Sequence, residues 1–169
     1  MDLFILRHGE AGQRVSAGRG DFQRPLTAAG QKEVSDIATS LKDLGIKLDI
    51  VITSPLKRAH QTASIVAKIF KIEKKMQDWA ELSPEGNRLD LYNKLSQLKQ
   101  QSSVLVVGHE PNLSGMISEM IFDGKNNGGR ITLKKSGLVK IRIISSTPKF
   151  QGELKWLLTP KLLKNMSSK

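Results

Sequence analysis

Residues 3–9 read Leu3-Phe4-Ile5-Leu6-Arg7-His8-Gly9: four apolar residues in succession, then two basic side chains and a glycine. Two further runs have the same make-up, Ile50-Val51-Ile52 and Val104-Leu105-Val106-Val107. Short runs rich in branched residues, without polar alternation, predict strands buried on both faces, as in a parallel sheet covered by helices. Helical spacing fills the intervals. Val34, Ile37, Ala38, Leu41 and Leu44 mark a helix over 27–45, with Thr27 as its N-cap and Gly45 as its stop. Ser54-Pro55 predicts the start of a second helix, whose apolar stripe is Leu56, Ala59, Ala63, Val66, Ala67 and Phe70. A third is expected over 87–100 with Leu91, Tyr92, Leu95 and Leu98 inward. A fourth starts at Pro111 and carries Leu113, Met116, Ile117, Met120 and Ile121.

After a glycine- and asparagine-rich turn over 123–129 the pattern changes. Val139, Ile141 and Ile143 alternate with Lys140 and Arg142, and Leu154, Trp156 and Leu158 alternate in the same way, as strands with one wet face do. The expected fold class is α/β: a single three-layer domain over residues 1–158, with a mostly parallel central sheet, helices on both faces and antiparallel C-terminal strands. Residues 159–169 are expected to form a polar, basic tail.

Composition narrows the function classes. The 169 residues are 38% hydrophobic and 25% charged, a globular rather than a disordered balance. The absence of cysteine excludes a disulfide scaffold, a thiol nucleophile and a thiolate zinc site, and it fits a reducing compartment. No apolar run is long enough to cross a bilayer and no signal-peptide pattern opens the chain, so a cytoplasmic, monomeric protein without membrane attachment is expected. The net charge of +11 is concentrated: residues 121–169 carry eleven basic and two acidic side chains, whereas residues 61–120 carry seven of each. A nucleic-acid partner is not expected, because the eight aromatic residues are scattered and form no stacking motif.

The chemistry lies after the strands. The first run ends in Arg7-His8-Gly9, the second in Thr53-Ser54-Pro55 with Arg58 close behind, and the third in Gly108-His109-Glu110-Pro111. Ligands of open parallel sheets bind beyond the carboxyl ends of the strands, so this arrangement gathers two arginines, two histidines and a helix start at one edge. Guanidinium groups match phosphoryl oxygens in bidentate fashion, and a helix start adds N–H donors. Of the two histidines, one can attack phosphorus as a neutral imidazole and the other can donate to an oxygen; spacing alone does not assign them. His60, two residues from Arg58, falls on another side of its helix and is expected to be a spectator. Arg19 and Arg24 fall in the loop after the first strand, either at the pocket mouth or in surface ion pairs. A metal held by the histidines would be repelled by the neighbouring arginines. No P-loop or dinucleotide fingerprint is present.

Four blocks carry a resemblance. Leu6-Arg7-His8-Gly9-Glu10-Ala11, Arg24-Pro25-Leu26-Thr27 with Gly30, Ser54-Pro55-Leu56-Lys57-Arg58-Ala59-His60-Gln61-Thr62, and Val107-Gly108-His109-Glu110-Pro111 follow one another as in the histidine phosphatase superfamily, the phosphoglycerate-mutase-like proteins. Within it the chain looks most similar to the SixA-type phosphohistidine phosphatases. Only 50 residues separate Arg58 from His109, too few for the helical insertion of mutase-like members, and Ala80-Glu81-Leu82-Ser83-Pro84-Glu85-Gly86 resembles a segment of the SixA group. The resemblance implies a phosphatase that works without cofactor or metal through a phosphohistidine on His8, with Arg7, Arg58 and His109 completing the phosphate pocket. It puts Glu81 roughly where mutase-like members carry their catalytic acid, with Glu85 and Glu10 as further candidates. The implied substrate is phosphohistidine on a signalling or phosphotransfer protein. The rival readings are a small-molecule phosphomonoesterase using the same site and a non-enzymatic nucleic-acid binder.

Overall fold

A computed structural model describes residues 1–13, 19–99, 102–122, 131–146 and 149–166. In chain order the elements are β1 (Asp2–Arg7), α1 (Arg19–Phe22), α2 (Ala28–Asp43), β2 (Ile50–Thr53), α3 (Lys57–Phe70), β3 (Met76–Asp78), α4 (Arg88–Ser96), β4 (Ser103–Gly108), α5 (Asn112–Ile121), β5 (Leu138–Ser145), β6 (Gln151–Leu158) and α6 (Pro160–Met166). The strands form one sheet in the order β3-β2-β4-β1-β5-β6. Strands β1 to β4 pair in parallel, and β5 and β6 are antiparallel to their neighbours. The α/β architecture expected from the apolar runs is the one observed.

Those runs are continuous because both sides of each strand are covered. Leu3 and Ile5 of β1, Ile52 of β2, and Val104 and Val106 of β4 pack into a core with Leu91 and Leu95 of α4 and Leu113, Met116 and Ile117 of α5. The intervening residues Phe4, Leu6, Val51, Leu105 and Val107 face the other way, onto Val34, Ile37 and Leu41 of α2 and Ala59, Ala63 and Val66 of α3. A strand with period-two side chains and two covered faces has no position left for a polar residue.

The connections set up the site. The chain leaves β1 toward β2 and leaves β4 toward β5, in opposite directions along the sheet. The paired carboxyl ends of β1 and β4, in register at Arg7 and Gly108, therefore open onto a crevice at a topological switch point.

Local signals set most helix ends. Thr27 caps α2 by accepting from the Gly30 N–H at 2.9 Å, and Gly45, just beyond the helix, takes a left-handed φ of +76°. Asn87 caps α4 through the N–H groups of Leu89 and Asp90. Other ends depart from expectation. Helix α3 begins at Lys57, not at Ser54-Pro55, where the Ser54 hydroxyl accepts from the Leu56 N–H at 3.2 Å in a turn that precedes the helix; α4 stops at Ser96, short of residue 100. Leu44 lies beyond the last turn of α2 and is 49% exposed.

The C-terminal region carries the larger corrections. Leu154, Trp156 and Leu158 do not share a face, because a register shift lets Lys140 oppose Trp156 while Ile141 opposes Leu154. The extra residue on β6 leaves Leu154 exposed while Trp156 and Leu158 join the α2/α3 core. The expected tail at 159–169 instead contains α6, whose Leu163 is fully buried in that same core. The short edge strand β3 and helix α1 carry no apolar run and left no pattern to read. The turn expected over 123–129 lies outside the described residues.

If α6 is part of the fold rather than an appendage, Leu163→Ala costs about 2–5 kcal/mol in urea denaturation. A loss below about 0.5 kcal/mol, the level of an indifferent surface change, would assign the helix to the periphery.

Candidate active site

His8 stands just past β1, 6% exposed, with its backbone N–H donating to the Gly108 carbonyl of the neighbouring strand. Its Nδ1 lies 2.7 Å from the Gly9 carbonyl oxygen. A carbonyl only accepts, so Nδ1 carries the proton and Nε2 holds the lone pair. The Arg58 Nε–H donates to that Nε2 at 3.3 Å. Burial, together with the positive charges of Arg58, Arg7 and Arg24, lowers the His8 pKa to about 4 against the opposing pull of the Gly9 bond.

Arg58 projects from the first turn of α3 and is 4% exposed. It points off the apolar stripe, as the spacing indicated, but into a buried pocket rather than into water. Asp21 of α1 holds it twice, accepting from Nη1 through the backbone carbonyl at 2.8 Å and pairing with Nη2 through Oδ2 at 3.2 Å. The other carboxylate oxygen of Asp21 takes the Arg24 Nε–H at 2.8 Å. One acidic side chain thus aligns two guanidinium groups. Arg24 both forms this ion pair and lines the pocket; the Arg19 side chain lies outside the described residues.

Arg7 is fastened from the opposite side. Its Nη1 donates to the Leu133 carbonyl at 2.8 Å, and its Nε is buried without a partner. Ser136, in the left-handed region at φ 56°, directs its N–H at the carbonyls of both Arg7 and His8. A left-handed serine is strained, and the strain is offset by holding the turn that carries both functional residues. The segment before β5 had shown no functional signal in the sequence.

His109 follows β4 at the same edge. Its Nε2 shares a hydrogen bond of 2.9 Å with Ser54 Oγ, and its Nδ1 is buried without a partner. The rings of His8 and His109 lie 4.9 Å apart. Burial first, then the charged neighbours, push the His109 pKa far below the ordinary imidazole range. Around this pair the backbone is tightly packed. A Cβ on Gly30 would lie 2.2 Å from the Glu10 carbonyl oxygen, so only glycine lets the first turn of α2 rest on the segment that follows His8.

The structure brings Arg7, His8, Arg58 and His109 to one pocket of about 190 Å³, together with Asp21, Arg24, Pro84 and Glu110. Glu81 is not among the lining residues. Its carboxylate meets Lys94 Nζ at 2.6 Å, and that contact holds its pKa below the usual carboxylate range, the opposite of what a proton donor needs. Glu85 does not line the pocket, and Glu10 accepts from the Thr27 hydroxyl at 3.2 Å instead. His60 lies 3.7 Å from Asp78, away from the pocket. Asp21, Ser54, Ser136 and Glu110 were not singled out from sequence. Ser54 and Glu110 did have a signal, their places in the blocks that follow the second and third apolar runs. Among the described residues, no group of three or more His, Asp or Glu side chains is arranged to hold a metal, and no helix is long and apolar enough to cross a membrane.

The pocket therefore presents three guanidinium groups and two neutral imidazoles within a small volume, an arrangement that suits a dianionic phosphoryl group. A family model for the histidine phosphatase superfamily (branch 1) matches residues 3–84. The SixA phosphohistidine phosphatase homologue of Haemophilus influenzae is 32% identical over 75% of this chain and 80% of its own length. The phosphohistidine phosphatase SixA of Escherichia coli is 30% identical over 71% and 74%. The solved structure of the protein histidine phosphatase SixA complexed with tungstate superposes with a TM-score of 0.83 at 28% identity, covering 97% of this chain and all of that one. The chain belongs to the histidine phosphatase superfamily and, within it, is of the SixA type.

The lowered His8 pKa has a consequence for stability. The unfolded chain protonates this ring near pH 6.5 and the folded chain near pH 4. Folded-state stability attributable to His8 is thus complete above pH 6.5 and falls by about 3 kcal/mol as pH drops to 4. Because His109 is shifted in the same direction, the His8 share is read as the difference between wild type and His8→Ala in denaturation at pH 7 and 4.5. Nitrogen NMR of the ring is expected to show the neutral Nδ1–H form at pH 5.5; a ring already cationic there would overturn the assignment.

Proposed function

We propose that the chain removes phosphoryl groups from phosphohistidine side chains of other proteins, by way of a transient phosphohistidine at its own His8. The observation that carries the proposal is the tautomer of His8: with Nδ1–H held by Gly9, the Nε2 lone pair is the one available for attack. In the cycle, Nε2 attacks a bound phosphoryl group in line with the departing nitrogen, and water then hydrolyses phospho-His8. Arg58 exchanges its contact with Nε2 for phosphoryl oxygens. Arg7 Nε and His109 Nδ1, buried and without partners among the described residues, supply further donors. Such donors stabilise the charge spread over the equatorial oxygens of the transition state.

Substrate class is supported by the relatives, two of which bear the name phosphohistidine phosphatase at 30 and 32% identity, and by tungstate, an oxyanion, in the SixA structure. A pocket of about 190 Å³ suits a phosphoryl group and the ring bearing it better than an extended small metabolite.

The test uses a radiolabelled phosphohistidine protein with wild type and His8→Ala, following free phosphate and label on the enzyme. Wild type is expected to release phosphate and carry a transient acid-labile label, and His8→Ala to lose both. Arg7→Ala and Arg58→Ala are each expected to slow turnover by about 10²- to 10³-fold. Hydrolysis of a phenyl phosphate without action on the phosphohistidine protein would favour a small-molecule phosphomonoesterase. Salt-sensitive oligonucleotide binding that survives His8→Ala, with no hydrolysis, would favour the binder.

A further inference from the structure

We propose that Glu110 is the catalytic acid and base of the reaction, giving a proton to the leaving nitrogen in the first half and taking one from water in the second. The inference rests on the phosphatase reading above. Glu110 follows His109 at the end of β4 and lines the pocket beside Arg7, His8 and Arg58. One carboxyl oxygen, Oε2, accepts from the hydroxyl of Ser114 on the first turn of α5, so a rigid element fixes the side chain. The other, Oε1, is buried and has no hydrogen-bond partner among the described residues. A pocket-lining carboxyl with one oxygen anchored and the other unengaged is built to exchange a proton with a bound group.

The competing carboxyl groups are committed. Asp21 is spanned by Arg58 and Arg24, and Glu81, although its Oε2 is also buried without a partner among the described residues, is paired through Oε1 with Lys94 and does not line the pocket. No ion pair with Glu110 is formed by the described residues.

The steps balance. As the His8 Nε2 lone pair forms its bond to phosphorus, the P–N bond of the substrate breaks. Its electron pair stays on the leaving nitrogen, which takes the proton of the Glu110 carboxyl. Water then gives a proton to the Glu110 carboxylate while its oxygen bonds to phosphorus, and the P–Nε2 electron pair returns to His8. Nδ1 keeps its proton on Gly9 throughout.

A group that protonates the leaving atom matters in proportion to how badly that atom leaves. The test compares Glu110→Gln with wild type on a phosphohistidine protein and on p-nitrophenyl phosphate, whose phenolate departs at neutral pH without a proton. The expected result is a fall of about 10²-fold or more in the ratio of the two kcat/KM values, which report transfer to His8 and not the hydrolysis of phospho-His8 that both substrates share. Ser114→Ala, which unfastens the carboxyl without removing it, is expected to lower the same ratio by about threefold to tenfold. Equal losses on both substrates, or an unchanged ratio in both variants, overturn the role of Glu110. A wild type that never carries label on His8 overturns the phosphatase reading with it. Normal labelling of wild type with an unchanged ratio in the variants overturns the proposal for Glu110 alone.

Discussion

The proton on Nδ1 of His8 rests against the Gly9 carbonyl, and the rest of the site is arranged around the tautomer this enforces. Three cations beside a histidine favour its neutral form, and they do so from fixed directions only if they are themselves held in place. Asp21 does this for Arg58 and Arg24, and the Leu133 carbonyl does it for Arg7. Thr62 supports the same turn from α3, accepting from the Gly9 N–H at 3.1 Å and donating to the Arg58 carbonyl at 2.8 Å. Each guanidinium therefore has a fixed direction, and their summed field, with burial, keeps the ring uncharged. A site assembled in this way needs little reorganisation when a dianion arrives, which is the condition under which electrostatic stabilisation is most effective.

Much of this was legible in the sequence because the strands and the site share one signal. Leu3-Phe4-Ile5-Leu6 and Val104-Leu105-Val106-Val107 each announce a strand covered on both faces, and the residues after them fall at the sheet edge by topology. What remained hidden depends on contacts distant in the chain. Asp21 sits on a four-residue helix with no apolar pattern, yet it clamps an arginine 37 positions away. Ser54 resembled a helix cap, and its hydroxyl does accept from the Leu56 N–H just before α3, but it also bonds His109, 55 positions away, which no local pattern shows. Glu81 was placed by analogy of position along the chain; Lys94, on α4, decides its actual surroundings. Leu163 adjoins Leu162 in a basic segment, and only the packing beside α2 shows that the first is buried while the second is exposed.

The antiparallel end of the sheet contributes more than closure. Strand β5 pairs with β1 along most of its length, and the segment that leads into it supplies the carbonyl for Arg7 and the N–H of Ser136. Its lysine and arginine are also less free than the local excess of positive charge suggests. Lys140 and Arg142 both meet Asp2, at 2.8 and 3.0 Å. Part of the basic character of the C-terminal third is thus spent on binding the two halves of the sheet together.

The two histidines emerge from adjacent parallel strands in register, so their separation of 4.9 Å is essentially the spacing between neighbouring strands. No hinge or interface between domains sets it. The geometry of the pair is a property of the central ladder, the part of such a sheet with the most buried contacts and the highest opening energy. Local fraying of α1 or α6 can loosen the surroundings, but the histidines part company only when the sheet itself comes apart. Loss of the site under denaturant is thereby tied to the global unfolding of the protein.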